Sequence, residues 1–345
     1  MTDLAEKLYK EQTLSKRELT ELFNCDTDTA ERLRSLAEKV RIENYGCDIY
    51  VRGLIEFSNY CKRDCLYCGI RRSNQNCERY RLSFDEIMEC CDEGYNLGFR
   101  TFVLQSGEDP YYDDDKICEI ITAIKSKYPD CALTLSIGEK SYDSYKRFYD
   151  CGADRYLLRH ETANKAHYEK LHTKSQSFEN RIRCLKDLKQ IGYQTGCGFM
   201  VGSPYQTDEC LAEDLLFIKD FNPHMVGIGP FISHKDTVFK GHPNGPVELT
   251  LKLLSIIRLM LPKVLLPATT ALATIDPRGR EKGIMAGANV VMPNLSPVSV
   301  RKKYQIYDNK ICTGDESAMC KNCLDLRVKS VGCKIVTSRG DSKNV

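Results

Sequence analysis

Residues 49–68 read IYVRGLIEFSNYCKRDCLYC. The first nine are mostly apolar and rich in β-branched and aromatic side chains, which predicts a buried strand. Cys61, Cys65 and Cys68 follow within eight residues. The segment therefore reads as a strand that opens into a loop carrying three thiols, and after it strand-like runs alternate with helical ones. Further strands are expected at 101–105, 132–137, 155–160, 194–201, 225–231, 264–268 and 289–292. Helical periodicity fills most gaps, at 114–127, 142–149, 178–191, 208–221 and 247–260, and Ser83 with Glu86 forms a capping box that starts another helix.

Eight short apolar strands separated by helices imply a parallel sheet with crossovers, and eight strands close an α/β barrel of the (βα)8 TIM type. An open doubly wound sheet is the alternative, but no G-x-G-x-x-G turn follows the first strand. The expected organisation has three parts. Residues 1–45 form an N-terminal helical cap, with a capping box at Ser15 and Glu18 and Leu33, Leu36, Ala37 and Val40 at helical spacing. Residues 46–295 form the barrel, with a long insertion at 58–82. Residues 296–345 form a cysteine-rich extension, in which 338–345, SRGDSKNV, reads as a frayed end.

Composition narrows the function. The 345 residues carry 50 basic and 48 acidic side chains, a net charge of +2, which argues against a nucleic-acid protein that relies on a strong positive field. No apolar run reaches the roughly 18 residues that a bilayer requires. The most apolar region, 249–275, is broken by Lys252, Arg258, Lys263 and two prolines. The start, MTDLAEKLYKEQ, lacks the basic and apolar regions of a signal peptide, so a cytoplasmic protein with no membrane partner is expected. Eighteen cysteines in such a chain suggest reduced thiols, some of them metal ligands.

Cys61, Cys65 and Cys68 follow a strand, on the face where a parallel barrel keeps its catalytic loops. Three close thiolates can each hold one iron of a 4Fe–4S cube and leave the fourth iron open, whereas ordinary clusters use four cysteines. The competing reading is a zinc site with Cys77 as a fourth ligand, although C-x3-C-x2-C is an unusual zinc spacing. Other polar groups cluster at strand ends. Arg159 and Glu161 share one face of a strand and His160 takes the other. They form either a structural ion pair at the barrel mouth or part of a ligand pocket. Arg181 sits in the first turn of a helix, where a cation opposes the helix dipole, so a bound carboxylate would account for it. Gln105-Ser-Gly-Glu108, Ser136-Ile-Gly-Glu139 and the glycines of 196–202 read as turns that let backbone approach a ligand. Thr269 and Thr270 offer two hydroxyls.

C-x3-C-x-aromatic-C, with Tyr67 as the aromatic residue, resembles the signature of the radical S-adenosylmethionine (SAM) superfamily. Within it, EFSNYCKRDCLYCGIRR, LQSGEDPYY, DRYLLRHETAN, SFENR, MVGIGPF, PATTA and MPN resemble the HydE family, the radical SAM maturases of FeFe-hydrogenase, over residues 49 to 325. Biotin synthase and methylornithine synthase share the triad and barrel, but RHETAN with PATTA looks more like HydE. The resemblance implies a barrel enzyme that cleaves SAM reductively. Cys61, Cys65 and Cys68 would hold the 4Fe–4S cluster. Tyr67, Gln105, Ser136, Glu161, Arg181 and Tyr304 would contact SAM, and Arg159, Thr269, Thr270 and Met292 would line the substrate cavity.

The implied substrate is a small iron carbonyl–cyanide complex carrying cysteine, and the product is a precursor of the diiron subcluster. Implied partners are a tyrosine-cleaving maturase, a GTPase scaffold and a ferredoxin or flavodoxin donor, in an anaerobic organism. Cys312, Cys320 and Cys323 resemble an auxiliary 2Fe–2S or 4Fe–4S site that some family members keep, with Cys333 as a candidate fourth ligand; zinc is the alternative. Tyr205 departs from the glycine common in the family. Cys90, Cys91 and Cys197 fit no motif and read as small buried hydrophobes. Two other functions stand beside this one: a methylornithine synthase-like reaction on a small amino acid, and a non-catalytic Fe–S scaffold.

Overall fold

The computed structural model describes residues 3–311 and 321–344. Leu4–Glu11 (α1), Lys16–Phe23 (α2) and Thr27–Tyr45 (α3) are three helices ahead of the first strand, in the region proposed as a cap. Asp3, Ser15 and Asp26 each accept from first-turn N–H groups, and the Ser15–Glu18 capping box is formed in both directions. The barrel follows as β1 (Asp48–Val51), β2 (Gly53–Ser58), α4 (Phe84–Asn96), β3 (Thr101–Ser106), α5 (Asp114–Lys127), β4 (Ala132–Ser136), α6 (Tyr142–Asp150) and β5 (Arg155–Leu157). Next come α7 (Lys165–Leu171), α8 (Phe178–Ile191), β6 (Gln194–Cys197), β7 (Met200–Val201), α9 (Asp208–Phe221), β8 (Met225–Val226) and β9 (Gly229–Pro230). The remainder is α10 (Val247–Met260), α11 (Thr270–Ile275), α12 (Gly279–Met285), β10 (Val290–Val291), α13 (Val298–Arg301), α14 (Lys321–Lys329) and β11 (Lys334–Val336).

β2, β3, β4, β5, β6 and β8 pair in that order, all parallel. Met225 of β8 then bridges to Leu265, Pro267 bridges to Val290 of β10, β10 pairs with β1, and Leu54 of β2 bridges to Asn294. The parallel ladder thus returns to its start, and Phe57, Leu104, Leu135 and Val291, each at most 1% exposed, belong to the main apolar core that its strands share with the helices. All strands run the same way, so all the loops that follow them gather at one end.

Several strands are shorter than the sequence pattern predicts. The stretch 49–57 is two strands that meet at Arg52, and 194–201 and 225–231 each break in the middle. A glycine contact explains the last two breaks. A Cβ on Gly198, at φ +153°, would lie 1.9 Å from the Gly227 carbonyl oxygen, so the backbones touch where a side chain would otherwise be. The glycines of 196–202 therefore serve approach between strands, or approach to Gly245 in the case of Gly202, rather than to a ligand. The expected strand at 264–268 makes only isolated bridges, and 289–292 shortens to β10.

α10 is apolar nearly all round because it is covered on both sides. It packs on β9, α11 and α12 and, outside, on α1, α2 and α3. This accounts for the apolar region at 249–275. Among the described residues no helix is long and apolar enough to cross a membrane.

The C-terminal segment is not frayed. β11 pairs with β1 in parallel, and the residues after it close the barrel floor. The Arg155 guanidinium, 3% exposed, donates to Asp341 Oδ1 at 2.5 Å, to the Arg339 carbonyl at 2.8 Å and to Thr101 Oγ1 at 3.2 Å. Gln194 Nε2 donates to Asp341 at 2.9 Å, and Arg339 reaches Asp154 at 3.0 Å. Such polar plugging needs partners more than 100 residues away, which no local pattern announces.

Burial opposes the Asp341 charge, but hydrogen bonds from Arg339 and Arg155 outweigh it and hold the carboxyl well below the usual range. Asp341→Ala is expected to cost about 1–3 kcal/mol in urea unfolding at pH 7, because the buried Arg155 loses its carboxylate. A group depressed in the folded state stabilises above its unfolded pKa, so the difference between wild type and variant should be full above about pH 4 and shrink below it. Identical curves at pH 7 would contradict this role.

Candidate functional site

The loop between β2 and α4 carries the three cysteines and is held mainly by backbone bonds. Arg79 clasps it, donating to the carbonyls of Asn59 at 2.5 Å, Ile70 at 2.8 Å, Arg71 at 2.6 Å and Asn74 at 3.2 Å. The Asn59 side chain ties the same loop to Glu78 and Lys303 at 2.8 Å each. Gly107, after β3, lies against the loop: a Cβ there would meet the Tyr60 carbonyl at 2.2 Å. The glycine thus serves close approach to the cysteine loop.

Cys61, Cys65 and Cys68 open onto one cavity of about 310 Å³ at the C-terminal ends of the strands. Burial pushes the Cys65 thiol up to about 11, and raises Cys61 and Cys68 as well. These thiols stay protonated unless a positive group takes them as thiolates, so binding iron there releases protons. N–H donors already face two of the sulfurs. Cys61 Sγ accepts from the Glu108 N–H at 3.3 Å and the Arg63 N–H at 3.4 Å, and Cys65 Sγ accepts from Gln176 Nε2 at 3.1 Å.

A row of alternating charges runs beside the sulfurs. Arg63 binds Glu108 at 2.7 Å and Glu139 at 2.8 Å, and Arg181 binds Glu139 at 2.6 Å. Burial opposes the Glu139 charge, yet Arg181 and Arg63 hold its carboxyl below the usual range. Arg181 also donates to the Arg159 carbonyl at 2.6 Å. Its charge therefore has a protein partner, Glu139, that its position at the start of α8 did not reveal.

Arg159 and Glu161 face the cavity, as the alternation predicts, and His160 points away. His160 is fully buried, with Nε2 3.2 Å from Asp214 of α9, and burial drops its pKa to about 3, so it is neutral. It accepts from the Gly198 N–H at 3.3 Å and pins this strand end to its neighbours. Glu161 adopts φ +68°, a left-handed conformation rare outside glycine. Arg159 Nη2 and Glu161 Oε2 lie 3.2 Å apart, but neither atom has an aligned hydrogen bond, and Arg159 Nε is also unpartnered. Buried polar atoms left open in this way mark room for a polar ligand.

Eleven of the thirteen site residues expected in and around the barrel line this cavity: Cys61, Cys65, Tyr67, Cys68, Gln105, Ser136, Arg159, Glu161, Arg181, Thr269 and Tyr304. Thr270 and Met292 are not among its lining residues. Thr269 caps α11, accepting from the Leu272 N–H, and the helical rotation that begins at Thr270 brings Ala271 to the wall in its place. Met292 packs with Met225, Leu265 and Val290. Cys312 and Cys320 lie outside the described residues, and Cys323 is on α14. Tyr205 has φ +65°, the region that glycine enters freely, which fits its standing as a departure from glycine.

A model of the radical SAM superfamily matches residues 55–218. The FeFe-hydrogenase maturase subunit HydE of Thermotoga maritima is 46% identical over 315 residues, covering 91% of this chain and 90% of that one. The chain belongs to the HydE family of radical SAM enzymes. The 3-methylornithine synthase of Methanosarcina barkeri is 30% identical, covering 89% of this chain and 87% of that one. In fold, the crystal structure of methylornithine synthase superposes with a TM-score of 0.80 at 27% identity, covering 96% of this chain and 97% of that one. A structure of the maturase HydG gives a TM-score of 0.79 at 20% identity, covering 97% and 75%.

The radical SAM family implies a 4Fe–4S cluster and SAM, and the residues present fit both. Among the described residues no three His, Cys, Asp or Glu side chains converge on one metal ion. A cube asks for no such convergence, because each thiolate takes its own iron. The N–H groups aimed at sulfur and the open atoms of Arg159 and Glu161 meet the remaining demands of a cluster and a zwitterionic cofactor.

The sequence reading missed Arg63, Arg79, Glu108 and Glu139 as site residues, along with Gln176. Glu108 and Glu139 were legible in part, since each ends the same strand–x-Gly-Glu turn; Gln176 acts on a sulfur 111 residues away, and the carbonyls that Arg79 binds in its own loop follow no regular spacing. Arg79→Lys should lower iron and sulfide per chain several-fold after anaerobic reconstitution, because one ammonium cannot span four carbonyls. Full loading in that variant would remove Arg79 from the site's support.

Proposed function

We propose that this HydE-family chain matures the FeFe-hydrogenase active site by radical chemistry on a small iron carbonyl–cyanide complex carrying cysteine, producing a precursor of the diiron subcluster. The cavity carries the proposal. Its lining combines the three thiols, Arg159 and Glu161 with apolar residues that include Leu157, Met200, Phe231 and Ile232. A 4Fe–4S cluster held by Cys61, Cys65 and Cys68 would supply the electron for reductive cleavage of bound SAM.

The chain's own residues bind, orient and exclude water. Tyr67, Gln105, Ser136, Glu161, Arg181 and Tyr304 hold SAM. Gln105 Nε2 donates to the Tyr304 hydroxyl at 3.4 Å, and the Tyr67 hydroxyl faces His172 at 3.4 Å, so both phenols have set positions. Arg159 offers its open N–H groups to an anionic part of the substrate, with Thr269 on the cavity wall; Thr270 and Met292 belong to the same proposed substrate environment. Cys312, Cys320 and Cys323 hold an auxiliary Fe–S cluster. A tyrosine-cleaving maturase supplies the substrate, a GTPase scaffold receives the product, and a ferredoxin or flavodoxin supplies electrons, in the cytoplasm of an anaerobe.

The relation to 3-methylornithine synthase supports a second reading, a radical rearrangement of a small amino acid. The higher identity to the Thermotoga maturase favours the first.

With reductant and SAM, reconstituted protein is expected to form 5′-deoxyadenosine, and Cys65→Ala should reduce the yield to the no-enzyme background. Adding the chain to a hydrogenase maturation mixture that lacks only its HydE should restore hydrogen evolution. Failure there, with conversion of lysine to methylornithine instead, would replace the first reading with the second.

A further inference from the structure

The loop between α7 and α8 lies along one side of the cysteine loop. The Leu66 N–H donates to the Leu171 carbonyl at 3.0 Å, His172 meets the Tyr67 hydroxyl at 3.4 Å, and Gln176 reaches Cys65 Sγ at 3.1 Å. Gln176 is 6% exposed. Its amide orientation follows from its neighbours. The Thr173 hydroxyl donates to Gln176 Oε1 at 3.5 Å, which leaves Nε2 to face the sulfur. Cys61 takes its two donors from backbone, which substitution cannot remove, whereas Cys65 takes one from a side chain.

We propose that Gln176 tunes how readily the cluster held by Cys61, Cys65 and Cys68 is reduced, by donating a side-chain N–H to the Cys65 sulfur. This rests on the cluster reading above and adds a residue to it. The step concerned is a transfer of one electron. An external low-potential one-electron donor is oxidised and the cluster is reduced from the 2+ to the 1+ state, with no bond made or broken and no proton moved. Reduction adds negative charge that spreads onto the sulfurs. A dipole pointing its positive end at a sulfur stabilises the reduced state more than the oxidised one, so it raises the potential. The effect is larger where water is excluded, as it is at Gln176. Gln176 is a positioning and tuning residue, since it acts through Cys65.

The test is a potentiometric titration of the full-length, anaerobically reconstituted protein, followed by the electron paramagnetic resonance of the reduced cluster, for wild type, Gln176→Met and Gln176→Leu. Methionine keeps an unbranched chain of similar length without the donor. Both variants should load the same iron per chain and show a lower potential. At fixed poise the reduced-to-oxidised ratio should fall about tenfold, which is about 59 mV for a one-electron couple. If both load normally and titrate at the wild-type potential, the tuning role is overturned. If neither variant holds a cluster, Gln176 is structural and the role is overturned as well. A wild-type protein with no reducible cluster would instead sink the cluster reading, and this inference with it.

Discussion

Glu108, Arg63, Glu139 and Arg181 form a row in which each charge touches one of opposite sign, at 2.6–2.8 Å. Much of the site depends on that alternation. Each of these groups is wholly or largely withdrawn from water, and an unpaired charge at such depth costs several kcal/mol. Because the row is balanced, it can sit beside three sulfurs without imposing a net field of its own. Because it is bonded end to end, it also fixes geometry. Arg63 lies within the cysteine loop, Glu108 and Glu139 lie in the turns after β3 and β4, and Arg181 is in the first turn of α8. Four consecutive parts of the barrel rim are joined by one set of ion pairs, and the Glu108 backbone also donates to Cys61.

The rim works only because the barrel delivers these parts to the same place. In a parallel ring every strand's C-terminal end lies on one side, so the segments after β2, β3, β4 and β5 converge whatever their length. The cavity lining mixes charged and hydrogen-bonding groups with aliphatic and aromatic ones. That mixture suits a reaction in which a polar cofactor must be held firmly and a reactive species kept from water.

Local signals in the sequence carried further than distant ones. The bounds expected for helices at 114–127, 178–191, 208–221 and 247–260 are those found, because caps and 3.6-residue periodicity are written in adjacent residues. The three cysteines were legible for the same reason. Strand limits were not, since a strand ends where its partner's backbone departs, and Gly198 against Gly227 is a meeting of two segments. Asp341 read as part of a loose polar end because its partners, Arg155 and Gln194, are far off in sequence. Thr270 and Met292 were attached to the cavity by resemblance; Thr270 starts α11 and Met292 packs with Met225, Leu265 and Val290. Arg79 and Gln176 went unnoticed although each makes direct contact with the cysteine loop or its sulfur.

β1 is hydrogen-bonded on one side to β10 and on the other to β11. β11 follows β1 by some 280 residues, and the cap helices likewise precede α10, which they cover, by some two hundred. Neither the first strand nor the cap can reach its final neighbours until those later segments have been made. Folding of this chain is therefore bound to sequence-distant encounters, the kind that make parallel architectures slow to assemble.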